Sequence, residues 1–253
     1  MQGWQSRMQQ KYYKVECTVV LPEVTKPEVV DKLKGLGANA ILHGAHWGEA
    51  DTYLREVVIK RIKDDEYAWF GRATRKFERN FRGTTLPNFD KVKGIVCSVG
   101  GGGLYNGIVE GARSYGIPVL AMETAQAPTF HETVEADKIT HLKTVKTIAS
   151  SLGSPYLSAK SFENYKSHPT HLGLIDDLDA VQGSIDLFEK FNYLVEPACG
   201  ASVATVFKKQ ALLQKFGDLK PDDIIIIVVC GGAGVNEKII ERYRKLVSTG
   251  GEP

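Results

Sequence analysis

The run Ser98-Val-Gly-Gly-Gly-Gly-Leu-Tyr-Asn-Gly107 constrains this chain more than any other segment. Four consecutive glycines follow a short apolar stretch, Gly94–Val99, and precede an amphipathic one reaching Tyr115. Consecutive glycines cost backbone entropy, and a plain strand–helix turn needs one of them at most. What they permit is close approach of a ligand to bare backbone, with several N–H groups turned to one point. A helix amino end adds positive partial charge there. The pattern predicts a phosphate-binding loop between a buried strand and a helix.

Two common phosphate loops do not fit it. A P-loop needs Gly-Lys-Ser/Thr, and Leu104-Tyr105-Asn106 follow the glycines instead. A dinucleotide fingerprint needs GxGxxG and an acid about 20 residues further on. Glu123 ends the next predicted strand at that distance. The glycine spacing fails, because the last position falls on Tyr105 or Asn106. An NAD(P)-binding oxidoreductase stays as a remote alternative.

The rest of the chain alternates short apolar runs with amphipathic ones. Strands are predicted at Cys17–Leu21, Ala38–Leu42, Gly94–Val99, Ile117–Met122, Leu172–Ile175, Tyr193–Val195 and Ile224–Val229. Helices are predicted at Glu28–Leu36, Trp47–Ile62, Leu178–Phe191, Ser202–Phe216 and Glu237–Val247. Unalternated apolar strands between helices predict an α/β fold with open, mainly parallel sheets covered on both faces. Residues 1–62 read as a smaller domain, 63–93 as an irregular connection and 94–253 as a larger cofactor-binding domain.

Composition excludes several classes. With 32 basic and 30 acidic residues the net charge is +2, and no basic block marks a nucleic-acid surface. Cys17, Cys97, Cys199 and Cys230 lack CxxC spacing, so neither a zinc site nor a disulfide framework follows. The longest apolar run, Ile224–Cys230, is too short to span a bilayer, and Met1–Lys11 lacks a signal peptide's apolar core. The expectation is a cytoplasmic protein, with the mitochondrion as the alternative. His43, His46 and His131 are isolated, and no partner can be named for them. Glu196 and Cys199 read as a strand–helix junction with an acidic cap. By residue type alone, Cys230 reads as a small buried residue at a strand end.

Four segments in order carry a resemblance. SVGGGGL at Ser98–Leu104, Met122-Glu-Thr124, Val195-Glu-Pro-Ala-Cys-Gly-Ala201 and Val229-Cys-Gly-Gly232 resemble those of serine/threonine dehydratases. These are pyridoxal-phosphate (PLP) lyases of the tryptophan-synthase-β type, fold type II. Cys230 in place of the serine of biosynthetic relatives makes the chain most similar to the catabolic L-serine/L-threonine dehydratases. The resemblance implies β-elimination of L-serine or L-threonine to pyruvate or 2-oxobutanoate and ammonia. It implies that Gly100, Gly101, Gly102, Gly103 and the backbone of Leu104 cradle the PLP phosphate. Cys230 would face the pyridine nitrogen. Glu123, Ala127, Thr129, Leu152 and Ser154 would surround a monovalent cation such as potassium. Glu123, Thr129 and Ser154 would offer side-chain oxygens, and Ala127 and Leu152 backbone carbonyls. A homodimer, or pairing with an intact relative, is the implied assembly.

Other family features have no counterpart. The resemblance calls for a Schiff-base lysine in a Ser-x-Lys segment ahead of the first small-domain strand. Only sixteen residues precede that strand, and Lys11 and Lys14 lack the Ser-x-Lys context. The Ser-Ser-Gly-Asn-Ala-Gly loop for substrate carboxylate is not found, and Met1–Tyr13 carries no glycine pair. Tyr67–Arg82 does not match the family's Pro-Phe-Asp…Trp-Glu-Gly-His segment. No catalytic residue is assigned. The chain reads as a truncated or degenerate member, expected to be inactive or strongly impaired alone. A non-catalytic phosphate-ligand-binding or partner protein is the alternative.

Overall fold

The computed structural model of the chain describes residues 18–25, 27–35, 37–45, 47–58, 89–232 and 234–251. They fall into two units, divided within the residues that are not described.

The first unit opens on β1 (Thr18–Leu21), followed by α1 (Pro27–Gly35), β2 (Asn39–Leu42) and α2 (Trp47–Tyr53). The two strands pair in parallel, Thr18 opposite Asn39 and Leu21 opposite Leu42. Proline opens α1, where its missing N–H costs nothing, and Val30 and Leu33 bury one turn apart against Val19 and Leu21. The helix expected over Trp47–Ile62 keeps α-geometry only to Tyr53 and widens into a π-helical turn at Leu54–Val58; residues 59–62 lie outside the described residues.

The second unit is built on four parallel strands in the order β5-β4-β3-β6. These are β3 (Val92–Ser98), β4 (Val119–Thr124), β5 (Thr170–Ile175) and β6 (Ile224–Ile227). The helices are α3 (Gly103–Ala112), α4 (Thr129–Glu135), α5 (Ala159–Ser167), α6 (Asp177–Phe191), α7 (Pro197–Phe207) and α8 (Glu237–Ser248). Strand period 2 sends Ile95 and Cys97 to one face with Tyr105, Ile108, Val109 and Phe130. Val96 goes to the other face, with Ala180, Ala198, Ala201 and Ala204. A strand buried on both faces has no polar position to spare, which explains its continuous apolar run.

Several expectations need correction. Val92 and Lys93, read as irregular, belong to β3. Tyr193–Val195 forms no strand. Its β-branched, aromatic composition sits in extended chain leading to α7, where only Val195 is buried. The helix expected at Ser202–Phe216 begins at Pro197 and stops at Phe207, and a separate 3-10 helix covers Gln210–Phe216. Helices α4 and α5 were not expected, being short and flanked by polar chain. Glu196 is the residue before α7, but its side chain caps nothing there; it accepts a hydrogen bond from Ser151 Oγ at 2.8 Å.

Candidate cofactor site

Parallel strands bring their carboxyl ends to one edge of a sheet, where ligands of open α/β folds bind. Ser98 ends β3 there, and Ile227 ends its neighbour β6. Gly100–Gly103 and Cys230 therefore emerge along the same edge. Val228 N–H still donates to Val96 O at 2.9 Å, which holds the start of the segment leading from β6 to Cys230 against β3.

The glycine loop turns sharply at Gly102, whose φ of 93° lies in the left-handed region. A Cβ there would fall 1.9 Å from Ser161 Oγ. At Gly100 a Cβ would meet Leu152 O at 3.0 Å, and at Gly101 Ser154 Oγ at 3.1 Å. Gly103 differs: nothing lies within 4 Å of its Cβ position. Three glycines let the loop pack against residues 152–161, and the fourth leaves space in front of α3. Ser158 pins the loop from below. Its N–H donates to Gly101 O at 3.1 Å, and its hydroxyl accepts from Asn106 Nδ2 at 3.2 Å.

Helix α3 has no side-chain cap. Its first N–H groups, at Gly103, Leu104 and Tyr105, have no carbonyl four residues back to bond. Uncapped donors facing open space at a glycine cradle fit a phosphate, and the macrodipole of the ten-residue helix adds to them. Leu104 itself turns its side chain to the core beneath, so its contribution is the backbone N–H.

Of the five residues expected around a cation, the structure joins Thr129 to Ser154. The threonine hydroxyl donates to Ser154 O at 2.6 Å. Ser154 Oγ points elsewhere, donating to Tyr156 O at 2.7 Å, so its carbonyl rather than its hydroxyl faces Thr129. Leu152 O is in contact range of Gly100 and accepts from Ser154 N–H at 2.7 Å. Ala127 is fully buried in the turn after β4.

Glu123 is fully buried and fully partnered. Its Oε1 accepts from Phe130 N–H at 2.6 Å, and its Oε2 from His131 N–H at 3.0 Å. The His131 ring adds Nδ1 at 2.8 Å. The carboxylate thus fastens the start of α4 to the end of β4, a role the sequence reading missed. His131 gains the partner that could not be named from sequence. The signal was the eight-residue spacing across a turn, unreadable without knowing that α4 starts at Thr129. Of the other two histidines, His43 stacks on Tyr53 at 3.9 Å and His46 lies outside the described residues. Among the described residues no three His, Cys, Asp or Glu side chains gather as a metal cluster. Lys11, Lys14 and Tyr67–Arg82 also lie outside the described residues.

An open parallel sheet with a glycine loop and an uncapped helix start at its carboxyl edge is an α/β scaffold that fits a phosphorylated ligand. Comparison with known proteins says which. The family model for pyridoxal-phosphate dependent enzymes matches residues 10–231. The catabolic L-serine/threonine dehydratase of Saccharomyces cerevisiae is 36% identical over 244 residues, spanning 89% of this chain and 68% of that enzyme. The human serine dehydratase-like protein is 33% identical over 242 residues, spanning 91% of this chain and 72% of that protein. The crystal structure of a fungal L-serine ammonia-lyase from Rhizomucor miehei superposes with a TM-score of 0.73 at 26% identity. It covers 96% of this chain and 77% of that one. The chain belongs to the pyridoxal-phosphate dependent enzymes of fold type II, in the serine dehydratase-like family.

Proposed function

We propose that this chain is a serine dehydratase-like protein whose second unit holds pyridoxal 5'-phosphate by its phosphate, and that the 253-residue chain alone does not turn over L-serine or L-threonine. The observation that carries the reading is the open, uncapped start of α3 at Gly103.

Gly100–Gly103 would bring bare backbone to the phosphate, and Leu104 would donate its N–H. Cys230 would stand beside the pyridine nitrogen. Its thiol is pushed up from the ordinary range, first by its hydrogen bond to Cys199 and then by burial. A thiol that keeps its proton is a weak acid beside a ring nitrogen, so the nitrogen would stay unprotonated. When bound, the cofactor supplies an electron sink for charge developing at the substrate's α-carbon. That chemistry also needs a lysine to hold the cofactor covalently and move the α-proton. Ser158-Ala-Lys160 is a Ser-x-Lys segment, but Lys160 is 61% exposed and paired with Glu163 at 2.9 Å. Losing one member of a catalytic unit commonly removes several powers of ten in rate.

A potassium ion would draw on the Glu123 carboxylate, the Thr129 hydroxyl and the carbonyls of Ala127, Leu152 and Ser154. Hard oxygen donors suit such a cation. It would brace the segment on which the glycine loop rests.

The test titrates the chain with pyridoxal 5'-phosphate, reduces with borohydride and maps lysines by mass spectrometry, with pyruvate formation from L-serine measured alongside. Saturable binding without a labelled lysine or turnover is the expected result. A single stoichiometric lysine with pyruvate production overturns the second half of the reading. Absence of saturable binding overturns the first.

A further inference from the structure

Cys199 and Cys230 meet at the carboxyl edge of the sheet. Cys199 is the third residue of α7 and is 1% exposed; Cys230 follows β6 and is half-buried. The N–H of Cys230 donates to Cys199 Sγ at 3.2 Å. Cys199 Sγ thus lies against the backbone of Cys230, and each thiol's acidity is set first by the other. Both cysteines are free.

These contacts split the pair electrically. The Cys230 N–H meets the Cys199 sulfur at the amino end of an eleven-residue helix, and donor and helix end both favour the thiolate. The Cys230 thiol, followed by the backbone N–H groups, holds Cys199 below the ordinary thiol range against the opposing effect of burial. Cys230 moves the other way and keeps its proton. Cys97 provides an internal contrast: burial alone pushes it up to about 12. A nucleophilic sulfur beside a second thiol that can resolve it is the arrangement of an oxidisable dithiol.

We propose that Cys199 and Cys230 are a redox modification site that closes to a disulfide under peroxide. The Cys199 thiolate attacks one peroxide oxygen and the O–O bond breaks. Hydroxide leaves and takes a proton from solvent, and Cys199 becomes a sulfenic acid. The Cys230 sulfur then attacks the Cys199 sulfur. The S–O bond breaks, and the leaving hydroxide takes the Cys230 proton. Two thiols lose two electrons, and one hydrogen peroxide becomes two waters. Access runs past half-buried Cys230, which suits a small oxidant. The chemistry uses the protein's own sulfurs and belongs to the cofactor-free chain, since a cofactor ring beside Cys230 would cover that path.

The experiment treats the fully reduced chain with hydrogen peroxide, blocks remaining thiols with N-ethylmaleimide and maps a non-reducing digest. Cys199 and Cys230 fall in different tryptic peptides. The expected product joins those two peptides, comes apart with dithiothreitol and leaves Cys97 alkylated. In Cys230→Ser, Cys199 should pass to a sulfinic acid that dithiothreitol does not reverse. In Cys199→Ser, oxidation of Cys230 should slow at least tenfold. Oxidation of Cys199 no faster than Cys97, or bridges only to other cysteines, overturns the proposal. The mapping on the unsubstituted chain decides the matter even where a variant fails to fold.

Discussion

Gly102 lies so close to Ser161 that a Cβ on the glycine would sit 1.9 Å from the serine hydroxyl. Gly103, the next residue, has empty space in the same direction. Neighbouring glycines therefore do different work. Gly102→Ala should destabilise the chain by about 2 kcal/mol or more, from its φ of 93° and the clash together. Gly103→Ala should melt within a few degrees of the unsubstituted chain, since alanine favours helix by up to about 1 kcal/mol. It should still lose at least tenfold in affinity for pyridoxal 5'-phosphate, because the methyl fills the space before the α3 amides. Thermal melts and equilibrium dialysis on both variants separate the roles. Unchanged cofactor affinity in Gly103→Ala would sink the phosphate assignment.

The hydroxyl of Thr129 and the carbonyl of Ser154 should act together with potassium. At constant ionic strength, the melting temperature should rise on replacing tetramethylammonium with potassium. Thr129→Val keeps the shape and removes the oxygen. It should abolish the potassium-dependent rise and lower stability by about 1 kcal/mol through the lost hydrogen bond. An equal rise in the variant would place any cation elsewhere.

His168 is buried, which favours its neutral ring over the opposing effect of the hydrogen bond its Nε2 donates to Ile117 O at 2.9 Å. Burial lowers its pKa, helped by Arg113, and burial followed by Lys215 lowers that of His171. The unfolded histidines take up protons first, near pH ~6.5. Stability from these groups is thus full above that pH and is lost as pH falls through their folded values. Urea midpoints measured from pH 7.5 down to 5 should decline, and His168→Gln, which keeps a neutral donor for Ile117 O, should decline less steeply. A parallel decline in the variant counts against the histidine.

Gly183 and Gly200 set how closely α6 and α7 pack. A Cβ on Gly200 would come 2.0 Å from Ala180 O, and one on Gly183 2.3 Å from Gly200 O. Backbone cannot yield as a side chain tip can. Gly200→Ala should cost about 3 kcal/mol in denaturant unfolding. Shifting α7 also moves Cys199, so the same variant should weaken the Cys199–Cys230 contact and slow its oxidation. A stability loss under ~0.5 kcal/mol would mean that the helices separate without penalty.

Much of the candidate site stands out in the sequence because its pattern is local. The glycine run, the apolar strand before it and the amphipathic stretch after it announce a phosphate loop within a dozen residues. Cys230 stands out in the sequence through Gly231-Gly232 beside it and the family resemblance together. Glu123 was legible as a position but not as a contact, because its partners are the first amides of a seven-residue helix. Short helices such as α4 and α5 bury few residues, so their periodicity barely rises above that of a loop. Tyr193–Val195 failed in the opposite sense: its residues suit a strand, yet no neighbour pairs with them.

The sequence by itself determined the alternation of strand and helix, the parallel α/β class, the glycine loop between a strand and a helix, and the family. Each rests on residue types in local order, and local order survives in one dimension. Tertiary structure alone decided which glycine faces neighbours and which faces space, that Ser154 offers its carbonyl, that His131 belongs to Glu123, and that Cys199 meets Cys230. Those pairs lie 8 (Glu123–His131) to 59 (Gly102–Ser161) residues apart. They come together because parallel strands deliver separate segments of the chain to one edge of one sheet.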